Sequence, residues 1–173
     1  MILILTTSVI LFAINYYQAQ QEKNNHFLTE TLFHQEIRLY VTNLYKFSDT
    51  LEMYEATFSE EEEKIYRQAL NNISNNLNNQ PYRIHAFLTR LYAGENRHRK
   101  FRDELHSLNL LLEDVSKITN HQQILDIATV LKEKALTLEQ IFALQSNIIV
   151  ESFDAATKEI EVLNQQIRKI SGL

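Results

Sequence analysis

His121 to Ser171 reads HQQILDIATVLKEKALTLEQIFALQSNIIVESFDAATKEIEVLNQQIRKIS. Along it Ile124, Ala128, Leu131, Ala135, Leu138, Phe142, Gln145, Ile149, Ser152, Ala156, Ile160, Leu163, Ile167 and Ile170 recur at steps of three and four, and no Gly or Pro interrupts before Gly172. Apolar side chains at that spacing form one stripe along an α-helix, and a sustained seven-residue repeat favours side-by-side packing. The spacing predicts a single helix of roughly 75 Å. Such a helix needs a partner of similar length, and the sequence supplies one upstream. Phe33, Ile37, Tyr40, Leu44, Phe47, Leu51, Tyr54 and Phe58 step by four and three, with nothing between Gln18 and Thr57 that breaks a helix. Aromatics that fall on the heptad read as core.

Two shorter helices are expected between these. Ser59 before Glu60 to Glu63 is a capping box: the Ser hydroxyl accepts from the amide three residues on, Glu62 reaches back, and acidic residues suit the positive helix end. This explains the acidic run without calcium, whose loops alternate their ligands instead. Tyr66, Leu70, Ile73 and Leu77 continue that second helix into NNISNNLNNQ, where Asn competes for its own backbone, so fraying is expected near Asn75 to Gln80 with a turn at Pro81. Asn72-Ile73-Ser74 matches a glycosylation acceptor, which on a helix is coincidence. The third helix is expected from Pro81 to about Ile118. Its stripe holds Ile84, Leu88 and Leu91, then Phe101, Leu105, Leu108, Leu112, Val115 and Ile118, with a kink permitted at Gly94. Asn120 turns the chain into the last helix. The expected fold is all-α, an up-down-up-down four-helix bundle with long first and last helices.

Composition agrees: 173 residues with only 2 Gly and 1 Pro leave almost no tight turns for a sheet. A formal charge of -5 argues against nucleic acid as a general partner. Zero Cys removes disulfides, thiolate metal sites and cysteine nucleophiles. The chain begins MILILTTSVILFAI, uncharged, followed by Tyr16 and Tyr17 where an interfacial belt would lie and then by the polar QAQQEKNN. A signal peptide lacks its basic start here, and a buried helix is an alternative. The reading adopted is a short or truncated membrane anchor over residues 1–20, its ~24 Å of apolar length set against ~30 Å of hydrocarbon. Residues 21–173 then form the bundle.

Candidate sites divide by chemistry. Glu95 and His98 make a single Glu-x-x-His unit beside Arg97, Arg99 and Lys100, cations that repel a metal. His26, Glu30 and His34 share one helical face but sit among polar residues, so a solvated face is the simpler account. No Gly-rich phosphate loop and no nucleophile with an ordered base is visible, so neither an enzyme nor a cofactor is expected. The basic cluster Arg97, His98, Arg99, Lys100 and Arg102 reads either as a solvated collar or as an anion site. Arg83, Arg90 and Arg97 are spaced by seven and share a face if the helix continues through Gly94. Arg38 on the first helix is a further anion-binding candidate, because bundle pockets lie between helices.

An apolar N-terminal helix that runs into the Phe33 to Phe58 heptad, with a long helix from His121 to Ile170 returning to the membrane, resembles the extracytoplasmic four-helix-bundle sensor domains of bacterial transmembrane receptors, the chemoreceptors and sensor histidine kinases. The resemblance is architectural and carries over no ligand residue. It implies a homodimer in the bacterial cytoplasmic membrane, its soluble part periplasmic or extracellular, binding a ligand between helices and signalling by small shifts of its long helices; the basic residues make a small anionic ligand the partner expected. A second span and a signalling module would follow Leu173. The rivals are a single-anchor coiled-coil structural or interaction protein of the envelope, and a pore-forming or phage envelope protein whose apolar segment inserts conditionally.

Overall fold

The computed structural model describes the backbone of residues 2–91, 97–143 and 150–173, and side chains over 14–91, 98–143 and 152–173. Six helices are present among these: α1 (Ile2–Glu52), α2 (Glu60–Asn78), α3 (Gln80–Leu91), α4 (Arg97–Val115), α5 (His121–Ala143) and α6 (Val150–Ser171). The all-α class is as the sequence reads. The number and pairing of the rods are not.

The expected last helix is two helices lying side by side. Gln123 of α5 donates to the Ile170 carbonyl at the far end of α6 at 3.0 Å, and Lys134 pairs with Glu159 at 2.7 Å. Pairs that converge in this way define an antiparallel hairpin. The reason is length. The packed part of α1 starts at Phe33 and ends at Leu51, which at 1.5 Å per residue covers only about 28 Å. A straight rod from His121 to Ile170 would leave most of its stripe in water, whereas folded back its halves cover each other. Spin labels at the exposed positions Gln122→Cys and Lys169→Cys test this directly. Gln123 and Ile170 are 47 positions apart, about 70 Å along one helix but within roughly 20–25 Å across a packed pair. A distance near the longer value would overturn the hairpin.

The expected third helix divides likewise. Tyr82 of α3 lies 5.8 Å from His106 of α4, and Asn109 of α4 reaches back to Leu77 of α2. The turn expected at Pro81 is instead a one-residue break at Asn79, across which α2 and α3 continue as one rod antiparallel to α1 (Asn43 to Gln80, 3.2 Å) and to α4. Proline explains both the break and its mildness. Its ring crowds the carbonyl four residues back, that of Leu77, and it has no N–H to give it. The Leu77 oxygen accepts instead from the Asn79 amide and from the Asn109 side chain at 2.8 Å.

The rods close into a ring in the order α1, α2–α3, α4, α6, α5 and back to α1. Neighbours are antiparallel except α4 and α6, which run the same way, Lys100 beside Glu161 and Glu104 beside Asn164. A ring of an odd number of rods cannot alternate all the way round. Both helix starts read from the sequence are in place: Ser59 and Glu62 form the reciprocal capping box, and the Asn120 side chain accepts from the Gln123 amide at 3.1 Å. The first helix stops at Glu52, earlier than expected, but Tyr54, buried, and Phe58, half-buried, still pack from the following turn. At that end Arg67 lies over the Tyr54 and Tyr66 rings and donates to the Ser116 carbonyl just beyond α4. At the opposite end Phe33, Phe101, Phe142 and Phe153, from α1, α4, α5 and α6, meet edge to face at 5.7–6.2 Å. His98, read as part of a polar collar, turns inward against Phe153 at 6.0 Å.

Every side chain from Ile14 to Leu28 is exposed, so α1 extends past the phenylalanine end of the ring as a single helix. Among the described residues no helix is long and apolar enough to cross a membrane. The side chains of residues 1–13, on which the anchor expectation rests, lie outside the described residues, as do Gly94, Glu95, Gln145 and Ile149.

Candidate functional site

The α1/α5 seam changes character along its length. Near the Glu52 end it is closed by polar contacts. Lys132 bridges Asp49 and Glu52 at 3.1 and 3.2 Å, the buried Ser48 hydroxyl donates to the Ala128 carbonyl at 2.7 Å, and the Tyr45 hydroxyl donates to Glu139 at 3.3 Å. Beyond Tyr45 the helices part around a half-open groove of about 450 Å³. This volume is in the range of small-molecule sites.

Helical spacing sets what faces the groove. His34, Arg38, Thr42 and Tyr45 lie on one row of α1, Ile37 and Val41 on the adjoining row that turns into the core, and Glu139, Phe142 and Ala143 come from one face of α5. The floor is therefore apolar, with Ile37, Val41 and Phe142 buried, and the rim carries the polar groups. The Thr42 hydroxyl donates to the Arg38 carbonyl at 2.8 Å, which leaves its oxygen free to accept. Burial first, and then the Glu139 carboxylate beside it, push the Tyr45 phenol above its ordinary pKa, so it stays protonated and a donor. Arg38 is the cation at the rim, and among the described residues its guanidinium has no ion-pair partner.

Among the described residues the other basic candidates do not converge on Arg38, and of them Arg99 and Arg102 share the side of α4 that faces His85. Arg83 faces α1 and reaches Glu36 at 3.4 Å, Lys100 faces α6 and reaches Glu161 at 2.5 Å, and Arg102 lies against its neighbour Asp103 at 2.6 Å. The Glu161 carboxylate holds the Lys100 ammonium above its usual pKa. Arg90 and Arg99 are exposed, and the side chain of Arg97 lies outside the described residues. Arg83 and Arg90 belong to α3 and Arg97 begins α4, so the seven-residue row does not continue along one helix. Arg99 and Arg102 face α3, where burial first, and then the positive charge of Arg102 above the other cations, hold the His85 imidazole below its ordinary pKa. His26 is exposed while His34 turns to the groove, and among the described residues no three His, Cys, Asp or Glu side chains gather as a metal site.

Thr42, Tyr45 and Glu139 were not legible as site residues. A signal existed for two of them: His34, Arg38, Thr42 and Tyr45 form a polar row at helical spacing beside the heptad stripe. Nothing marked Glu139, because its partner helix could be placed only after the hairpin was known. No family model, no curated protein and no solved structure matches the chain. The fold is an all-α bundle with a half-open groove between its first and fifth helices.

Proposed function

We propose that the chain is the ligand-sensing part of a membrane-anchored bacterial receptor. The apolar start of α1 anchors it in the cytoplasmic membrane with the bundle outside, and a small molecule in the α1/α5 groove biases how α1 sits against α5. The observation that carries this reading is continuity: the groove wall from His34 to Tyr45 and the apolar N-terminal residues belong to one helix, Ile2–Glu52, without a break. A ligand shifts such an equilibrium only by its differential affinity for the two packings. With the seam fastened near Ser48 and Lys132, a change of spacing at the groove pivots α1 about that point. An unbroken helix then carries the displacement along its length.

A second observation supports two copies acting together, and also favours the rival. Ile14, Tyr17, Leu28, Leu32 and Leu39 are exposed on the side of α1 away from Phe33, Ile37 and Tyr40, and the positions between them on that side, Gln21, Asn25 and Gln35, are uncharged. A helix arm this long is marginal in water without a partner. In the sensor it meets the same stripe of a second copy. In a coiled-coil scaffold it docks another protein.

A thermal-shift screen of the full chain against small anions, amino acids, organic acids and divalent metals tests the reading, run beside Thr42→Trp, which places a large side chain at the groove rim. A compound that raises the melting temperature of the parent by several degrees, but not that of the variant, is the expected result. No shift from any compound, together with a stable elongated oligomer, moves the assignment to the scaffold.

A further inference from the structure

We infer that the groove ligand is a small zwitterion, a molecule with a carboxylate at one end, an ammonium at the other and a short apolar body. This rests on the α1/α5 groove being the ligand site. Two opposite charges face the same cavity, Arg38 from α1 and Glu139 from α5, yet no ion pair forms between them. Other charges on these two helices that lie within reach of an opposite charge do pair: Asp49 and Glu52 with Lys132, Glu36 with Arg83, Lys134 with Glu159. Arg38 therefore offers its planar fork to a carboxylate. Glu139 has one partner, the Tyr45 hydroxyl at 3.3 Å, and a carboxylate with further lone pairs open accepts readily from an ammonium.

Charge balance excludes the simpler ligands. A plain anion on Arg38 faces the Glu139 carboxylate across the groove, and a plain cation on Glu139 faces the guanidinium; a dipolar molecule satisfies both. Arg38 stands seven residues, about 10 Å of helix, from Tyr45, which holds Glu139, and the buried Ile37, Val41 and Phe142 line the same groove and suit a hydrocarbon body. His34 and Thr42 line the Arg38 end of the groove. The site is complete within one chain. A linear ω-amino acid, with its two charges at opposite ends of a short hydrocarbon chain, has this chemistry.

The test uses the full chain and three forms of one body: γ-aminobutyrate, δ-aminovalerate or ε-aminocaproate; the N-acetyl form, which keeps only the carboxylate; and the amide, which keeps only the ammonium. At millimolar concentration a parent amino acid is expected to raise the melting temperature by several degrees, and both blocked forms to fail. Arg38→Gln and Glu139→Gln are each expected to weaken the parent amino acid about tenfold or more, as loss of a charge-assisted hydrogen bond does. Arg38→Gln should leave any residual binding of the amide unchanged, and Glu139→Gln that of the N-acetyl form. If the N-acetyl form binds as well as its parent, and Thr42→Trp abolishes both, the groove stands and the zwitterion is overturned. If a parent amino acid binds equally well to Thr42→Trp, Arg38→Gln and Glu139→Gln, the groove itself is overturned. No shift from any parent amino acid overturns the zwitterion and leaves the groove to the wider screen.

Discussion

Phe153→Ala is expected to be the most damaging single truncation in the molecule, lowering stability by ~3–5 kcal/mol. Its ring is fully buried and touches Phe33, Phe101 and Phe142, so the cavity opens where α1, α4, α5 and α6 converge. None of those rings can collapse into the space without losing edge-to-face contact with another, which places the cost at the upper end for a core aromatic. For a chain of this size the melting temperature should fall by roughly 6–20 °C. Phe27→Ala provides the control: the same residue type on the exposed arm of α1 should change stability by less than ~0.5 kcal/mol. Chemical denaturation of both variants decides it. A Phe153→Ala protein as stable as the Phe27→Ala protein would mean that α6 does not pack into the bundle. The groove provides a second readout, because Phe142 is both its floor and a neighbour of Phe153; on the proposed function, a variant that folds but has lost this support should bind a groove ligand more weakly.

Phe153 also shows where the sequence could be read and where it could not. The stripe was right almost residue by residue: Phe33 through Leu51, Ile124 through Phe142 and Ser152 through Ile167 are all buried where described. A three-and-four repeat, however, specifies which side chains turn inward and is silent on whether two stretches are collinear or folded back. The phase of the repeat continues across 144–149, so the hairpin left no mark in it. A mark existed elsewhere. Phe153, Thr157 and Asn164 form a second buried row beside the first, which means α6 buries a face wide enough for two neighbours, α4 and α5. A long rod against one partner buries a narrower seam. The basic cluster failed for the same reason: Arg83, Lys100 and Arg102 are close in sequence, yet their helices turn them toward three different carboxylates. Arg38 faces the α1/α5 groove, and that became evident only once α5 was set beside α1.

Replacing Asn109 should cost nearly as much as truncating Phe153, through unpaired polar groups instead of a cavity. Its side chain has no exposed surface; its carbonyl accepts from the Tyr40 hydroxyl at 2.8 Å and its amide donates to the Leu77 carbonyl at 2.8 Å, which ties α4 to α1 and to α2. Asn109→Leu keeps the volume but leaves the Tyr40 hydroxyl with only the long contact to the Leu105 carbonyl at 3.5 Å and the Leu77 carbonyl with only the Asn79 amide, for an expected loss of about 2–4 kcal/mol. Tyr40→Phe strands only the Asn109 oxygen and should cost ~1–3 kcal/mol. The two losses should not add: with both changes neither the hydroxyl nor its acceptor remains, and the double variant should be more stable than the sum by about 1 kcal/mol or more. Proline isolates the other half of the network. The Leu77 carbonyl needs Asn109 because the residue four positions on is Pro81, which has no N–H. Pro81→Ala restores that donor, so in its background Asn109→Leu should cost about 1 kcal/mol less. Denaturant titrations of the parent, the three single variants and the two double variants measure both couplings. Strict additivity would mean that the three rods are held by apolar packing alone, with Asn109 a passive filler of the ring.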